Sequence, residues 1–311
     1  MNLHRIMILA CLFCIGQAGP VLAADKLTVI LDWFVNANHE SLFAAQYCGA
    51  YARHGLDVSF IPPADPSSPA RLVAAGQADL AVSYQADLPF MAQQHLPVMR
   101  VGTLMAQPLN VLMTLPGSGI HGLADLKGRR VGLSVGAGEQ SMLDGMLASA
   151  GLKPDAVTRV QVNFQIEQAL MTHSVDAVMG GDRNYELIDL QQKGLAPLAF
   201  YPEQHGVPTY DELILVANTS HAHDPRIQRF LAALREGVAC LRRDPDFVWR
   251  AFVAAHPDLD TPLNKAAWQA TLPALANDPA HLDLPRYEAF QRFLVARGAL
   301  AHPVPVSTYA P

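Results

Sequence analysis

The chain has 311 residues, half of them hydrophobic, and a formal net charge of −6 at pH 7. This length is more than one compact core usually organises and suits two lobes, and the hydrophobic content is enough to fill both. The charge is mildly acidic with no long basic run, which gives nucleic acid no footing and leaves small molecules as the expected ligands.

The first segment reads as an export signal. His4 and Arg5 precede an apolar run over residues 6–15, and Val21, Leu22 and Ala23 form a cleavage-site pattern, so residues 1–24 are read as a signal peptide cut after Ala23 or Ala24. The run is too short to span a bilayer, and no later stretch is long and uncharged enough to do so. A soluble periplasmic protein is expected. Cys11 comes too early for lipid anchoring and Cys14 follows the bulky pair Leu12 and Phe13. Without the leader, Cys48 and Cys240 remain, each on an expected helix; an oxidising compartment would allow them to pair, and two buried free thiols fit the sequence equally well.

Residues 27–31 read as a buried strand and residues 41–54 as the following helix. The loop between them carries Asp32, Trp33, Asn38 and His39 and leaves the carboxyl end of the strand, where α/β proteins place ligands. Trp33 offers a large rigid face to a flat ring, or a core side chain beneath the loop. Asp32 suits hydrogen bonds to a ring amino group or a turn cap, and Asn38 suits a ligand contact or a helix N-cap.

Residues 72–84 and 170–181 repeat one pattern: a helix end, a polar break, an aspartate (Asp79, Asp176) and an apolar strand ending in small or polar residues. Two lobes of similar build follow, each expected to be a mainly parallel sheet with helices on both faces and the strands ending near Asp32, Ser83, Ser134 and Gly181 aimed at one cleft. Lobe one is expected over residues 26–106 and 212–311 and lobe two over 107–209, with two crossing strands as the hinge. Helical patterns occupy residues 227–242, 246–255, 265–275 and 285–297, and residues 303–311 read as a loose tail.

Further candidates sit at the other strand ends. Ser83, Tyr84 and Gln85 supply a hydroxyl, an aromatic plate and an amide that a ligand could satisfy. Gly136, Gly138 and Glu139 open a helix whose free N–H groups could hold an anion, except that Glu139 would repel phosphate or sulfonate there; its plainer role is to complement the helix dipole. Asp182, Asn184, Tyr185 and Glu186 form the lobe-two counterpart, with Asp182 also suited to capping the next helix. Tyr210 and Glu212 lie on the returning crossover. The histidines and cysteines show no metal-ligand spacing, so no metal is expected.

Taken in order, Asp32-Trp33 with His39, Gly55-Leu56-Asp57-Val58, Ala74 to Asp79, Asp125-Leu126-Lys127-Gly128 and Gly206 to Leu213 resemble the periplasmic binding proteins for thiamine-pyrimidine precursors and their relative thiamine pyrimidine synthase, within the wider SsuA-like family. The resemblance implies the type II two-lobed periplasmic binding fold and a small heteroaromatic ligand such as formylaminopyrimidine or hydroxymethylpyrimidine. It implies ABC permease and ATPase partners, a monomer and no cofactor. It sets His39 near the pocket, fits Asn184, Tyr185 and Glu186 to a site loop, and suggests that Glu212 pairs with ligand amino groups. Asp182 and Arg183 replace aromatic residues usual in the family, so riboflavin, another heteroaromatic or an alkanesulfonate stands as the alternative cargo. The synthase uses a lysine to hold pyridoxal phosphate, a histidine and a cysteine-rich run; the aligned positions hold Ser83 and Asp87, with no such run near residues 201–212, so no enzyme activity is expected.

Overall fold

The computed structural model describes residues 23–311; the signal-peptide reading, with Cys11 and Cys14, lies outside the described residues except for its last two positions. In chain order the strands are β1 (Asp25–Ile30), β2 (Leu56–Ile61), β3 (Leu80–Tyr84), β4 (Val98–Met105), β5 (Asn110–Thr114), β6 (Arg130–Leu133), β7 (Thr158–Gln161), β8 (Ala177–Asp182), β9 (Leu198–Phe200) and β10 (Leu213–Asn218). They form two sheets of five, ordered β2-β1-β3-β10-β4 and β7-β6-β8-β5-β9. Both sheets are buried on two faces. Leu27 and Val29 of β1 enter one core with Leu42, Phe230 and Leu234, while Ile30 enters another with Tyr287 and Tyr309, which is why the strand reads as a continuous apolar run. In the second sheet Val131 and Met179 face Met142 and Leu147, and Val111 and Val178 face Ile166 and Leu190.

The repeated aspartate has one job in both sheets. Asp79 accepts from the Thr28 amide at 2.8 Å, and Asp176 accepts from the Arg130 amide at 2.8 Å, so each pins the start of its own strand to its parallel neighbour. Each sheet is mainly parallel, as expected, with four of its five strands running one way and one strand reversed. β1 pairs in parallel with β2 and β3, and β6 with β7 and β8, but β10 runs antiparallel to β3 and β4, and β5 antiparallel to β8 and β9. The reversed strands are those the chain reaches by crossing directly from the other sheet, with no helical crossover to turn them around.

Two local expectations change. The helix of residues 41–54 is divided into Glu40–Tyr47 and Ala50–Arg53, because Gly49 takes a left-handed conformation at φ +70°. The C-terminal tail is ordered: Tyr309 and Ala310 are buried, the Arg100 amide donates to the Tyr309 carbonyl at 2.7 Å, and the Tyr309 hydroxyl donates to Gln291 at 3.3 Å. Helix Leu284–Ala296 straddles the sheets, with Tyr287 packed on the first and Phe290, Phe293 and Leu294 on the second.

Cys48 and Cys240 form a disulfide that joins the end of helix Glu40–Tyr47 to helix Pro225–Arg243 across 192 positions of sequence. Closing so long a loop restricts the unfolded chain, and its removal is expected to destabilise the protein by about 2–5 kcal/mol. Urea unfolding of the oxidised protein against the reduced protein or Cys240→Ser checks this, and equal midpoints would show that the bond contributes nothing.

Candidate functional site

A narrow cleft opens between the sheets, lined by Asp32, Trp33, Asn36, Asn38 and Tyr84 from the first sheet and its loops, and by Asn110, Ser134, Val135, Ile166, Gly180, Asp182, Tyr185 and Glu186 from the second, with Glu212 on the returning crossover. No lysine or arginine is among these residues.

Its first wall is built from the loop after β1. Asn36, not Asn38, caps the turn Ala37–His39, its side chain accepting from the Asn38 amide at 2.8 Å. That frees the Asn38 side chain to reach over: its amide donates to Asp182 at 2.8 Å, and its oxygen accepts from Asn184 at 2.7 Å. His39 is fully buried behind the wall rather than in the cleft. Its Nδ1 accepts from the Asn36 amide at 3.3 Å, which leaves Nε2 to donate to Asp32 at 2.9 Å. The other Asp32 oxygen accepts from the Tyr84 hydroxyl at 2.9 Å. Asp32 is therefore a fixed carboxylate. Trp33 lines the cleft and also meets Phe164 of the second lobe edge-on, with ring centroids 4.5 Å apart; Phe34 lies over the same ring at 4.6 Å. Trp33 thus serves as part of a clasp between lobes as well as a wall.

The second wall carries the acids. Asp182 ends β8 and does not cap the following helix, Glu186–Gln192, which has no side-chain cap at all. Instead the Glu186 side chain turns back to accept from the Asp182 amide at 2.8 Å. Burial raises the carboxyls of both, Glu186 to about 7 and Asp182 well above the usual range, with Glu186 and Glu212 adding repulsion at Asp182. Glu212 is raised by burial too, against the pull of two amides: one of its oxygens accepts from Leu109 at 2.6 Å and Asn110 at 2.9 Å. Arg183 faces away from the cleft. It donates to Glu203 at 2.7 and 3.0 Å, lies over the Tyr201 ring and braces the Leu109 carbonyl.

Of the sequence candidates, Asp32, Trp33, Asn38, Tyr84, Asp182, Tyr185, Glu186 and Glu212 come together around the cleft. The others occupy supporting positions, each for a visible reason. Gln85 is turned inward, where its oxygen accepts from the Asp211 amide at 2.7 Å. Tyr210 is buried against Phe290. Asn184 is buried between Asn38 and Thr271, donating to Thr271 at 2.6 Å. Ser83 faces an adjoining hollow that shares only Tyr84 and Val135 with the cleft. Gly136 borders that hollow, and Gly138 is packed against Ala86. Glu139 folds back beneath its own loop to accept from the amides of Ser134 at 3.0 Å and Val135 at 2.7 Å. Ser134, expected as a strand end aimed at the cleft, does line it, and the lining residues not singled out from the sequence as ligand contacts are Asn36, Asn110, Val135, Ile166 and Gly180. Gly180 could have been found: it lies in the second copy of the repeat, and a Cβ there would strike Ser134 and Glu139.

Two acids at this end of the fold give a pH dependence. Burial raises the carboxyl of Asp87 to about 6, against the amide of Gly138, and that of Glu139 to about 8. Because both folded values lie above the unfolded ones, the folded chain retains protons that the unfolded chain releases. Their contribution is most favourable below about pH 4 and is lost as pH rises through 6 and 8. Between pH 5 and 8.5, Glu139→Gln should therefore lose roughly 1–3 kcal/mol less stability than the parent. Urea unfolding at the two pH values measures this, and parallel losses would exclude Glu139 as a source.

Comparison with known proteins places this geometry. The SsuA protein of Xanthomonas axonopodis pv. citri, an alkanesulfonate-binding protein, superposes with a TM-score of 0.74 at 18% identity over 92% of this chain and 98% of its own, which identifies the fold as the two-lobed periplasmic binding fold. A Haemophilus influenzae protein whose name links it to thiamine biosynthesis is 44% identical over 94% of this chain and 93% of its own length. The formylaminopyrimidine-binding protein of Halalkalibacterium halodurans is 31% identical over 81% and 77%. A 4-amino-5-hydroxymethyl-2-methylpyrimidine phosphate synthase of Legionella pneumophila is 26% identical over 83% of each. The NMT1/THI5-like family profile matches residues 36–247, most of the described chain, and the protein belongs to that family.

Proposed function

We propose that this protein is the solute-binding component of an ABC importer and that its ligand is a thiamine-pyrimidine precursor, formylaminopyrimidine or hydroxymethylpyrimidine. The observation that carries the reading is the cleft itself: Asp182, Glu186 and Glu212 border it beside Trp33, Tyr84 and Tyr185, with no cation among the lining residues. An aminopyrimidine is flat, so its faces suit the aromatic side chains, and its amino group and ring nitrogens suit carboxyl groups that can each donate or accept. The 31% identity to a protein named for binding formylaminopyrimidine supports the same choice. Lobe closure would then bury the ligand and present the closed form to a permease, which requires tighter binding to closed than to open protein.

A sulfonate cargo is less well matched, since the cleft lacks the cation it would want. The synthase reading meets the end of β3, where Ser83 carries a hydroxyl; a hydroxyl cannot form the imine that holds pyridoxal phosphate, and no lysine lines either the cleft or the adjoining hollow. The residues present do not fit that cofactor.

Thermal melts of the chain without its leader, with hydroxymethylpyrimidine, formylaminopyrimidine, thiamine, riboflavin and taurine, test the assignment. A ligand at 100 times its dissociation constant adds about 2.7 kcal/mol of stability. A shift with either pyrimidine is expected; a shift with riboflavin or taurine alone would remove the thiamine assignment. Asp182→Asn and Glu212→Gln should each weaken pyrimidine binding about 10- to 100-fold by calorimetry, the usual loss for a charge-assisted hydrogen bond.

A further inference from the structure

The places where this fold would hold an anionic substituent are filled by its own carboxyl groups. Helix Ala137–Ser149 points its N-terminus between the lobes, where first-turn amides would ordinarily receive an anion. Here Asp87, carried by the first lobe on the turn Gln85–Asp87, accepts from the Gly138 amide at 2.8 Å. It sits so close to Gly136 that a Cβ there would fall 2.5 Å from the Asp87 oxygen. On the neighbouring side Glu139 takes the Ser134 and Val135 amides and also the Ser134 hydroxyl at 3.2 Å. Ser134 and Val135 line the cleft, and Val135, Gly136 and Asp87 itself line the hollow beside it, so Asp87 is part of that surface while Glu139 stands behind it. Titratable and charged groups sharing Asp87's surroundings are Glu139 across the lobes and, lining the hollow, Tyr84 and Arg71.

We propose that Asp87 and Glu139 are specificity residues: by occupying these amides they bar a phosphate or sulfonate group, so that the protein takes the pyrimidine as its uncharged alcohol or amine and refuses the phosphate ester. The inference rests on the pyrimidine reading of the cleft and adds a charge rule to it. Carboxyls bonded to the Gly138, Ser134 and Val135 amides withdraw those donors from an incoming anion, and any ionised acid there repels it as well.

The test compares hydroxymethylpyrimidine with the same ring carrying a sulfomethyl group, which keeps one negative charge at every pH used. At pH 8 the parent protein should bind the alcohol at least about 100-fold more tightly, and Asp87→Asn should narrow that ratio about tenfold. Lowering the pH of the parent from 8 to 5 should narrow it as well, a readout that needs no variant to fold. A ratio within about threefold in the parent, or one that neither Asp87→Asn nor acid moves, overturns the proposal. If neither pyrimidine binds, the assignment of ligand falls and sulfate remains as the probe: against chloride of equal ionic strength, about 20 mM sulfate should raise the melting temperature of Asp87→Ala and leave the parent unchanged. Sulfate stabilising the parent, or failing to stabilise Asp87→Ala, overturns the charge rule independently of the ligand.

Discussion

The carboxyl of Glu212 ties the two passages of chain between the lobes to each other, since it stands on the strand returning from the second lobe and accepts from Leu109 and Asn110 on the strand entering it. Its neighbour Asp211 points the opposite way, as adjacent residues of extended backbone do, and gathers the Thr103 hydroxyl at 2.9 Å, the Tyr287 hydroxyl at 3.1 Å and the Arg286 guanidinium. One acid therefore closes the floor of the cleft while its neighbour fixes the crossover to helix Leu284–Ala296. The two sheets share no strand pairing, so their relative position rests on this pair together with the side-chain contacts that Asn38, Trp33 and Asp87 make across the cleft.

Around that floor the protein concentrates acids without matching cations. The lining acids that face one another are raised by burial, and the nearest guanidinium, Arg183, is engaged by Glu203. Buried carboxyls in mutual repulsion are unfavourable to folding taken alone. A ligand that brings hydrogen-bond donors would relieve that repulsion on entry, which is why the pyrimidine we propose suits this site better than an anion does.

Sequence alone reveals the two-lobed build because the repeat around Asp79 and Asp176 is a local signal with a local cause, each aspartate fixing an adjacent strand start. The loop after β1 is legible for a similar reason: polar and aromatic residues directly after a buried strand have few structural alternatives. Fates decided by distant partners are not legible. Whether Gln85 faces ligand or chain depends on Asp211, 126 positions away, and the position of Asn184 depends on Asn38 and Thr271. The one reversed strand in each sheet, β10 and β5, is not legible, because strand direction is set by where the chain comes from and leaves no trace in the pattern of apolar residues. The inward turn of Glu139 is likewise hidden from the sequence, since it depends on the absence of a side chain at Gly180.

The bond between Cys48 and Cys240 has a topological side as well. The first lobe is made from both ends of the chain and the second is inserted between them, so the bond makes everything from the helix after β1 to the helix after β10 a covalently closed ring. A single protease cut anywhere in the inserted lobe leaves one molecule, its two pieces still held together beside the first sheet. Such a nick opens the ring without the loss of half the fold.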